Sequence, residues 1–181
     1  RFGIEMERIE LAEAQKLWPL LNTKVLDSAF WIPKDGRTDP TNTTLAMAKG
    51  ARMGGATLLE GVKVTAIRQT NGRVSGIATD RGELTCEYVV NCAGMWGREI
   101  GKMAGVSVPL HAAEHFYIIT EALDGVSREM PTLRDPDGFA YYREEVGGVM
   151  FGGFEPVAKP WGMDGIPEDF EFSLLEDDWD H

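Results

Sequence analysis

The stretch VVNCAGMW, residues 89–96, is the part of the sequence that points most directly to a fold class. Residues 88–90 predict a short apolar strand that stops at Asn91 and turns through small residues, and residues 96–104 predict a helix. Gly94 has no Cβ, which lets main chain approach a ligand closely at this turn. In open α/β sheets, nucleotide-like ligands bind at the carboxyl end of such a strand. Taken alone, the motif favours a turn that only packs a helix on a strand.

Composition and charge narrow the class of protein. The 181 residues are enough for one domain or parts of two, and 43% hydrophobic with 26% charged residues is a globular composition. Eighteen Lys and Arg against 29 Asp and Glu give a net charge of −11. This charge argues against nucleic acid or an anionic membrane surface as a partner. No apolar run approaches the roughly 20 residues of a membrane-spanning helix.

The chain ends predict an interior fragment of a longer protein. The sequence opens RFGIEMERIE, without an initiator Met or the pattern of a signal peptide, and closes LLEDDWDH. We therefore expect a cytoplasmic or mitochondrial-matrix protein with no targeting segment in this stretch. Cys86 and Cys92 would lie about 20 Å apart on a continuous strand, too far for a disulfide.

The first half of the chain predicts alternating helices and strands. Asn71-Gly72 between two β-rich segments is the strongest hairpin signal. Helices are expected over residues 9–21 and from Asp39-Pro40 to Gly54-Gly55, and strands over residues 29–33, 57–59, 62–69, 74–79 and 84–91. This order predicts a nucleotide-binding α/β layer crossed by a β-meander.

After Pro109 the pattern changes to aromatic-rich strands separated by Pro- and Gly-containing loops. Strands are expected over residues 114–121, 132–133, 139–143 and 149–154. Such a succession favours an antiparallel sheet. Residues 161–181 are expected to form a loop and an acidic helical tail.

One short pattern suggests a metal. Residues 111–115, HAAEH, match the H-x-x-E-H pattern of a class of zinc peptidase. That chemistry needs a helix, so that His111 and His115 share one face. Pro109 precedes the pattern and the β-rich run FYIIT follows it, so we predict no metal site.

Two groups of side chains suggest acid–base or anion-binding chemistry. On an extended segment His115 and Tyr117 point to the same side, where a histidine beside a tyrosine can act as a general acid and base. The alternative is a half-buried histidine with a satisfied hydrogen bond. Tyr141, Tyr142 and Arg143 suit a small carboxylate ligand, or else pair with the many acids of the chain.

The ordered motifs of the whole chain resemble a known family. In order they are GARMGGATLLEGVKVTAI, GRVSGIATDRGEL, VVNCAGMWGREIGKMAG, VPLHAAEHFYIITE, PTLRDPDGFAYYRE and GGVMFGGFEP. This set resembles the D-amino-acid-oxidase-type FAD oxidoreductases, in the branch of dimethylglycine and sarcosine dehydrogenases. LHAAEHFYIIT and EDDWDH also resemble the regulatory subunit of pyruvate dehydrogenase phosphatase, a relative that is not a dehydrogenase.

The resemblance implies an FAD cofactor and a role for several residues. It places Val64 near the adenine and Ala93, Gly94 and Trp96 at the turn that packs on the cofactor. It makes His115 and Tyr141 the catalytic residues beside the flavin, with Tyr142 or Arg143 holding the substrate carboxylate. The implied reaction is hydride transfer from an N-methyl carbon of a small amine to FAD, with an unknown electron acceptor.

The resemblance also implies a layout and several missing parts. Residues 1–34 and 110–160 would belong to an antiparallel substrate domain, and residues 35–109 to part of an FAD/NAD(P)-binding layered domain, α/β in class and α+β overall. The family's G-x-G-x-x-G turn is not in this sequence, and its flavin-linking histidine would precede Arg1. A tetrahydrofolate-binding domain would follow His181. We therefore expect this stretch alone to bind FAD weakly or not at all.

Two other functions are consistent with the sequence. A catalytically inactive relative could keep the fold for regulation, as in the phosphatase subunit. A plain nucleotide-binding module is the third reading, and the His115 and Tyr141 pair on a separate sheet argues against it.

Overall fold

The computed structural model describes residues 3–181 and divides them into two compact units. The first unit contains the chain up to Leu45 together with His115–Ala158, and the second contains Ala46–Glu114 and Lys159–His181. The strands are β1 Glu7–Ile9, β2 Ala29–Trp31, β3 Val64–Thr70, β4 Arg73–Thr79, β5 Gly82–Thr85, β6 Ala112–Ala113, β7 Tyr117–Ile119, β8 Leu133–Asp135, β9 Ala140–Glu145, β10 Gly148–Gly153 and β11 Pro160–Trp161. The helices are α1 Leu11–Leu17, α2 Pro40–Met53 and α3 Gly97–Met103.

The first unit is built on a four-stranded antiparallel sheet in the order β7-β10-β9-β8. One face of this sheet, called here the core face, packs on Trp18 and Leu21, which follow α1, and on the loop that carries Val126 and Met130. Its centre is Trp18, Met130 and Val149, with Leu21, Val126, Leu133 and Tyr142 around them. The Trp18 indole N–H donates to the carbonyl of Pro131 at 2.7 Å, so the only polar atom of this side chain is satisfied. The opposite face of the sheet, which carries Arg134, Tyr141 and Arg143, is called the open face.

The second unit contains the three-stranded antiparallel sheet β3-β4-β5, helix α3 and the small pair β6 and β11. Asn71 and Gly72 join β3 to β4 with φ of 53° and 74°. Two successive left-handed residues define the hairpin turn that an Asn-Gly pair favours. The predicted hairpin is therefore confirmed.

The expected fold class is confirmed, because the described structure mixes helices with antiparallel sheets. The second predicted helix is also confirmed, running over Pro40–Met53 before Gly54 and Gly55. No helix among residues 3–181 is long and apolar enough to cross a membrane.

The predicted strand over residues 88–90 is wrong. Strand β5 ends at Thr85, and the described residues 87–93 join no ladder. Tyr88 and Val90 are 84% and 83% exposed. An apolar run becomes a strand only where a neighbouring strand satisfies its backbone groups, and this run has no such neighbour here.

Three further predicted elements differ from the structure, one in its end and two in their type. The first helix ends at Leu17 because Pro19 keeps the residue before it, Trp18, out of helical geometry. Residues 57–59 form no strand. The expected helical tail is wrong as well, since the described residues 161–181 contain no helix. Its closely spaced acids repel one another and would destabilise a helix.

The compact units and the expected domains differ in their limits. The units divide at Leu45 and at Glu114, whereas the sequence placed the limits at residues 34 and 109. Residues 159–181 group with the second unit. Which unit serves the cofactor and which the substrate stays a prediction.

Candidate active site

A hydrogen-bonded histidine and tyrosine lie at one end of the four-stranded sheet. Nε2 of His115 and the hydroxyl oxygen of Tyr141 are 3.0 Å apart, and their rings are nearly parallel, at 6° with centroids 5.8 Å apart. His115 stands just before β7, where the Gly153 N–H donates to the carbonyl of Phe116 at 3.4 Å. This bond extends the pairing of β7 and β10, so His115 meets Tyr141 of β9 across β10. A histidine and a tyrosine in this contact can pass a proton between them and a ligand.

Gly152 provides the space in which the Tyr141 ring lies. The two residues are direct partners across β9 and β10, and a methyl group at Gly152 would lie 2.5 Å from Cε1 of Tyr141. A side chain of any size at residue 152 would therefore push the tyrosine away. The neighbouring Gly153 has room for a methyl group, because the atom nearest to a Cβ built there lies 3.6 Å away.

Phe154 forms a wall that touches both members of the pair. Its ring centroid is 5.2 Å from that of His115 and 5.2 Å from that of Tyr141. The side chain is 47% exposed. An aromatic wall of this kind gives an apolar surface beside two groups that can exchange a proton.

Arg134 lies on the same side of the sheet. It pairs with Tyr141 across β8 and β9, and directly opposed residues of an antiparallel pair point to the same face. Its guanidinium carbon is 4.8 Å from the centroid of the Phe154 ring, which is a cation–π contact. The open face thus combines a cation with the His115 and Tyr141 pair.

The two predicted carboxylate-binding residues lie on opposite faces. The Tyr142 ring belongs to the core face, 6.2 Å from Trp18 and stacked 5.2 Å from Phe151. It is not brought together with His115. Arg143 alternates to the same face as Tyr141, and its Nη2 is 2.8 Å from Oε2 of Glu145. Its Nε is buried and has no hydrogen-bond partner among the described residues.

An ion pair anchors β9 from the core face. Glu144 is 3% exposed, and its Oε2 is 2.9 Å from Nη2 of Arg37. The Gly147 N–H donates to Oε1 of Glu144 at 3.0 Å. The hydrogen bond from Arg37, followed by that from Gly147, lowers the pKa of Glu144 below its ordinary value. The pair fixes the strand that carries Tyr141 and Arg143.

The four predicted cofactor residues lie in the second unit. Ala93 and Gly94 form a turn that leads into a short 3₁₀ helix, Gly94–Trp96, and then into α3. Gly94 has φ of +53°, and a Cβ built there would meet nothing within 4 Å. The Trp96 side chain is 42% exposed. Val64, half-buried, begins β3.

This turn fits a flat cofactor. The open space over Gly94 lets main chain approach a ligand, and the exposed indole of Trp96 offers a surface for packing. The Ala93 N–H already donates to Oδ1 of Asn91 at 3.2 Å, which holds the turn in shape. These residues can therefore pack on a cofactor, while the groups that would bind its phosphates are not among them.

The zinc pattern lacks the helix that it needs. Ala112 and Ala113 form strand β6, so His111 and His115 do not share a helical face. The Nδ1 of His111 is 2.8 Å from the carbonyl oxygen of Ala112. Within the described part of the chain, no group of three or more His, Cys, Asp or Glu side chains is placed to hold a metal.

The sequence did not single out Gly152, Phe154 or Arg134. Gly152 and Phe154 alternate along one extended segment, and this spacing places them on a single face. The register of β9 and β10 decides whether this face is also the face of Tyr141. No local sequence pattern reveals that register.

Comparison with known proteins gives the chain a family context. The family described as FAD dependent oxidoreductase (DAO) matches residues 1–178. The mitochondrial sarcosine dehydrogenase of Mus musculus is 36% identical over 99% of this chain, which covers 20% of that protein. The mitochondrial pyruvate dehydrogenase phosphatase regulatory subunit of Mus musculus is 37% identical over 99% of this chain, covering 21% of that protein. The chain thus spans about a fifth of the length of these curated relatives.

A solved structure agrees with the fold. The L-proline dehydrogenase of P. horikoshii superposes with a TM-score of 0.72 and 29% sequence identity. The match covers 87% of this chain and 42% of that protein.

Proposed function

Because this chain belongs to the FAD-dependent oxidoreductase (DAO) family, we propose that it forms part of an enzyme that oxidises an N-methylated amino acid of the sarcosine or dimethylglycine type. The observation that carries the proposal is the hydrogen bond between His115 and Tyr141 on the open face, in a chain 36% identical to a sarcosine dehydrogenase. FAD, when bound, supplies the acceptor for a hydride from the N-methyl carbon.

His115 serves as the proton acceptor in this proposal. An amine gives up a hydride from its methyl group only when its nitrogen is neutral, so a bound ammonium must first lose a proton. The imidazole can take that proton directly or through the Tyr141 hydroxyl, to which Nε2 is hydrogen-bonded at 3.0 Å. Tyr141 in turn orients the amine, because its ring is held over Gly152 and against Phe154.

Arg143 is the candidate that the sequence offers for the substrate carboxylate. It alternates to the open face and carries a planar guanidinium that suits a carboxylate, although its Nη2 already lies 2.8 Å from Oε2 of Glu145. The Tyr142 ring packs in the core, and this location argues against a direct role for it.

The cofactor would be held in part by the second unit, which we propose as the FAD-binding part. Val64, Ala93, Gly94 and Trp96 would contact FAD, as the resemblance implies, and the open turn at Gly94 supports this role. The first unit, with its antiparallel sheet, would be the substrate part. The proposed substrate is a small-molecule amine. The proposed location is the mitochondrial matrix, with the cytoplasm as the alternative, and the names of the two mouse relatives support it as far as the mitochondrion.

The test is reduction of the flavin by the proposed substrate. The whole protein should be purified, examined for a flavin spectrum, and mixed anaerobically with sarcosine or dimethylglycine. Bleaching of the flavin absorbance by either amine is the expected result. A yellow protein that neither amine bleaches would refute the proposed substrate class.

A second function has one observation in its favour. The chain is 37% identical to a phosphatase regulatory subunit, which is as similar as the dehydrogenase. A colourless protein that binds no added FAD would support this regulatory function. Tyr141 beside His115 favours the enzyme instead, since a regulatory protein has no need of a proton-transfer pair on an open face.

A further inference from the structure

We propose that Arg134 is the residue that binds the carboxylate of the substrate. This inference rests on the proposed function, and it assigns a role to a side chain that the motifs did not single out.

The position of Arg134 follows from the register of the sheet. Arg134 is the direct partner of Tyr141, so both side chains leave the sheet on the open face. The guanidinium contacts the Phe154 ring at 4.8 Å, and the same ring contacts His115 and Tyr141. One aromatic ring therefore lies against the cation and against the proton-transfer pair. An α-amino acid needs this arrangement, because its carboxylate lies one carbon from the amine that reacts.

The charge of Arg134 is available to a ligand. None of the ion pairs among residues 3–181 includes this side chain, although the chain carries 29 acids against 18 basic residues. The phenyl ring of Phe154 holds the cation without accepting a conventional hydrogen bond. The planar guanidinium can therefore still offer its N–H groups, and such a fork matches the two oxygens of a carboxylate.

Arg143 is the weaker candidate by the same criteria. Its charge is already paired with Glu145, because Nη2 of Arg143 lies 2.8 Å from Oε2 of Glu145, and its Nε is buried away from solvent. A carboxylate placed there would meet the negative charge of Glu145, whereas no acid pairs with Arg134 in the described ion pairs. Arg134 therefore offers a carboxylate a positive charge that none of the described ion pairs uses, whereas the charge of Arg143 is shared with Glu145.

The test compares substrates with and without a carboxylate. In the flavin-containing whole protein, the variants are Arg134→Gln, Arg134→Lys and Arg143→Gln, with Arg73→Gln as a control that removes an exposed arginine at the start of β4. Sarcosine and dimethylglycine are the substrates, and dimethylamine and trimethylamine are their counterparts without a carboxylate. Circular dichroism establishes that each variant is folded.

The expected result is a rise in KM of about ten- to a hundredfold for the amino acids in Arg134→Gln, the range for loss of a charge-assisted hydrogen-bonded pair. The kcat should change little, and the kinetic parameters for the amines without a carboxylate should not change. Arg134→Lys should recover part of the loss, since it keeps the charge without the fork. Arg143→Gln should have a smaller effect, and Arg73→Gln none. An unchanged KM in Arg134→Gln, or a larger effect in Arg143→Gln, would overturn the assignment. If Arg134→Gln does not fold, the KM of Arg134→Lys for the amino acids is used instead. A raised KM supports the assignment, and an unchanged KM overturns it.

A binding measurement separates this inference from the proposed function. Dimethylglycine is titrated into ¹⁵N-labelled whole protein while the arginine Nε–H signals are followed by NMR. If the flavin is not reduced but wild type binds dimethylglycine and Arg134→Gln does not, the reaction is refuted and the Arg134 site stands. If Arg134→Gln binds as tightly as wild type, or if wild type does not bind, the Arg134 site is refuted.

Discussion

Nε2 of His115 lies 3.0 Å from the hydroxyl oxygen of Tyr141, although 25 residues separate the two along the chain, with His115 just before β7 and Tyr141 in β9. The hydrogen bond depends on β10, which pairs with β7 on one side and with β9 on the other. The middle strand therefore sets the distance between the two side chains, and it also places Phe154 against both rings.

Removing the Tyr141 hydroxyl should slow the reaction without unfolding the protein. Tyr141→Phe keeps the ring over Gly152 and loses the hydrogen bond to His115. We expect the rate of flavin reduction by sarcosine or dimethylglycine to fall by about a hundredfold, at the low end of the range for an acid–base group. Anaerobic stopped-flow absorbance measures this rate. Tyr88→Phe is the matched control, because Tyr88 is 84% exposed and should not affect the rate. Reduction at the wild-type rate in Tyr141→Phe would show that the hydroxyl takes no part.

Adding a methyl group at Gly152 should displace the Tyr141 ring. The new carbon would lie 2.5 Å from Cε1 of Tyr141, so we expect Gly152→Ala to lower the free energy of unfolding by about 1–3 kcal/mol, as in an overpacked core. Gly153→Ala is the control. The atom nearest to the added methyl carbon would lie 3.6 Å away, so the substitution should be close to neutral. Urea unfolding measures both values.

A double variant tests whether Tyr141 is the cause of this loss. In a Tyr141→Ala background the ring that a methyl group would meet is gone, so Gly152→Ala should then cost much less. If Gly152→Ala costs as much with Tyr141 absent as with it present, the strain lies elsewhere in β10.

The Arg37 and Glu144 pair should make the stability depend on pH in the acid range. The pKa of Glu144 is lowered in the folded protein, first by the Arg37 hydrogen bond and then by the Gly147 N–H. Its contribution is therefore fully present above the pKa of the unfolded chain, about 4.3, and is lost as the pH falls through the folded pKa. Urea midpoints measured between pH 7 and pH 3 should fall less steeply in Glu144→Gln than in wild type. Glu129→Gln, an exposed acid of the same unit, should keep the wild-type slope. Parallel pH profiles for wild type and Glu144→Gln would contradict this account.

Replacing Trp18 should weaken the first unit. Trp18→Phe loses the 2.7 Å hydrogen bond to the carbonyl of Pro131 and leaves unfilled volume beside Met130 and Val149. We expect a loss of about 2 kcal/mol in the free energy of unfolding. Thermal unfolding followed by circular dichroism measures the change. Trp179→Phe provides the comparison, since Trp179 is 82% exposed and should leave the melting temperature unchanged. Equal melting temperatures for wild type and Trp18→Phe would rule out Trp18 as a core residue.

Local chemistry explains the parts of the fold that could be predicted. The Asn71-Gly72 turn needs two left-handed residues, and this pair adopts that geometry readily. Helix α2 begins at Pro40 and ends before Gly54, where the sequence carries a start and a stop signal. The strand over residues 88–90 was wrong because its apolar composition says nothing about a pairing partner.

In β9, too, the sequence predicts one part of the arrangement and the tertiary structure decides the other. Alternation along a strand predicts that Tyr141 and Tyr142 point to opposite sides. Which of them enters the core depends on Trp18, which follows helix α1 and contacts Tyr142 from more than a hundred residues earlier in the chain. For this reason the sequence left Tyr142 and Arg143 as equal candidates and did not identify Arg134.

The sequence by itself determined the family, the Asn71-Gly72 turn, helix α2 and the residue types of the site, because these depend on neighbouring residues or on an ordered set of motifs. Only the tertiary structure decided that His115 meets Tyr141, that Gly152 leaves space for the tyrosine ring and that Arg134 shares a face with both. The physical reason is that strand pairing joins residues far apart in the chain. A shift of one residue in that register would turn each of these side chains to the other face of the sheet.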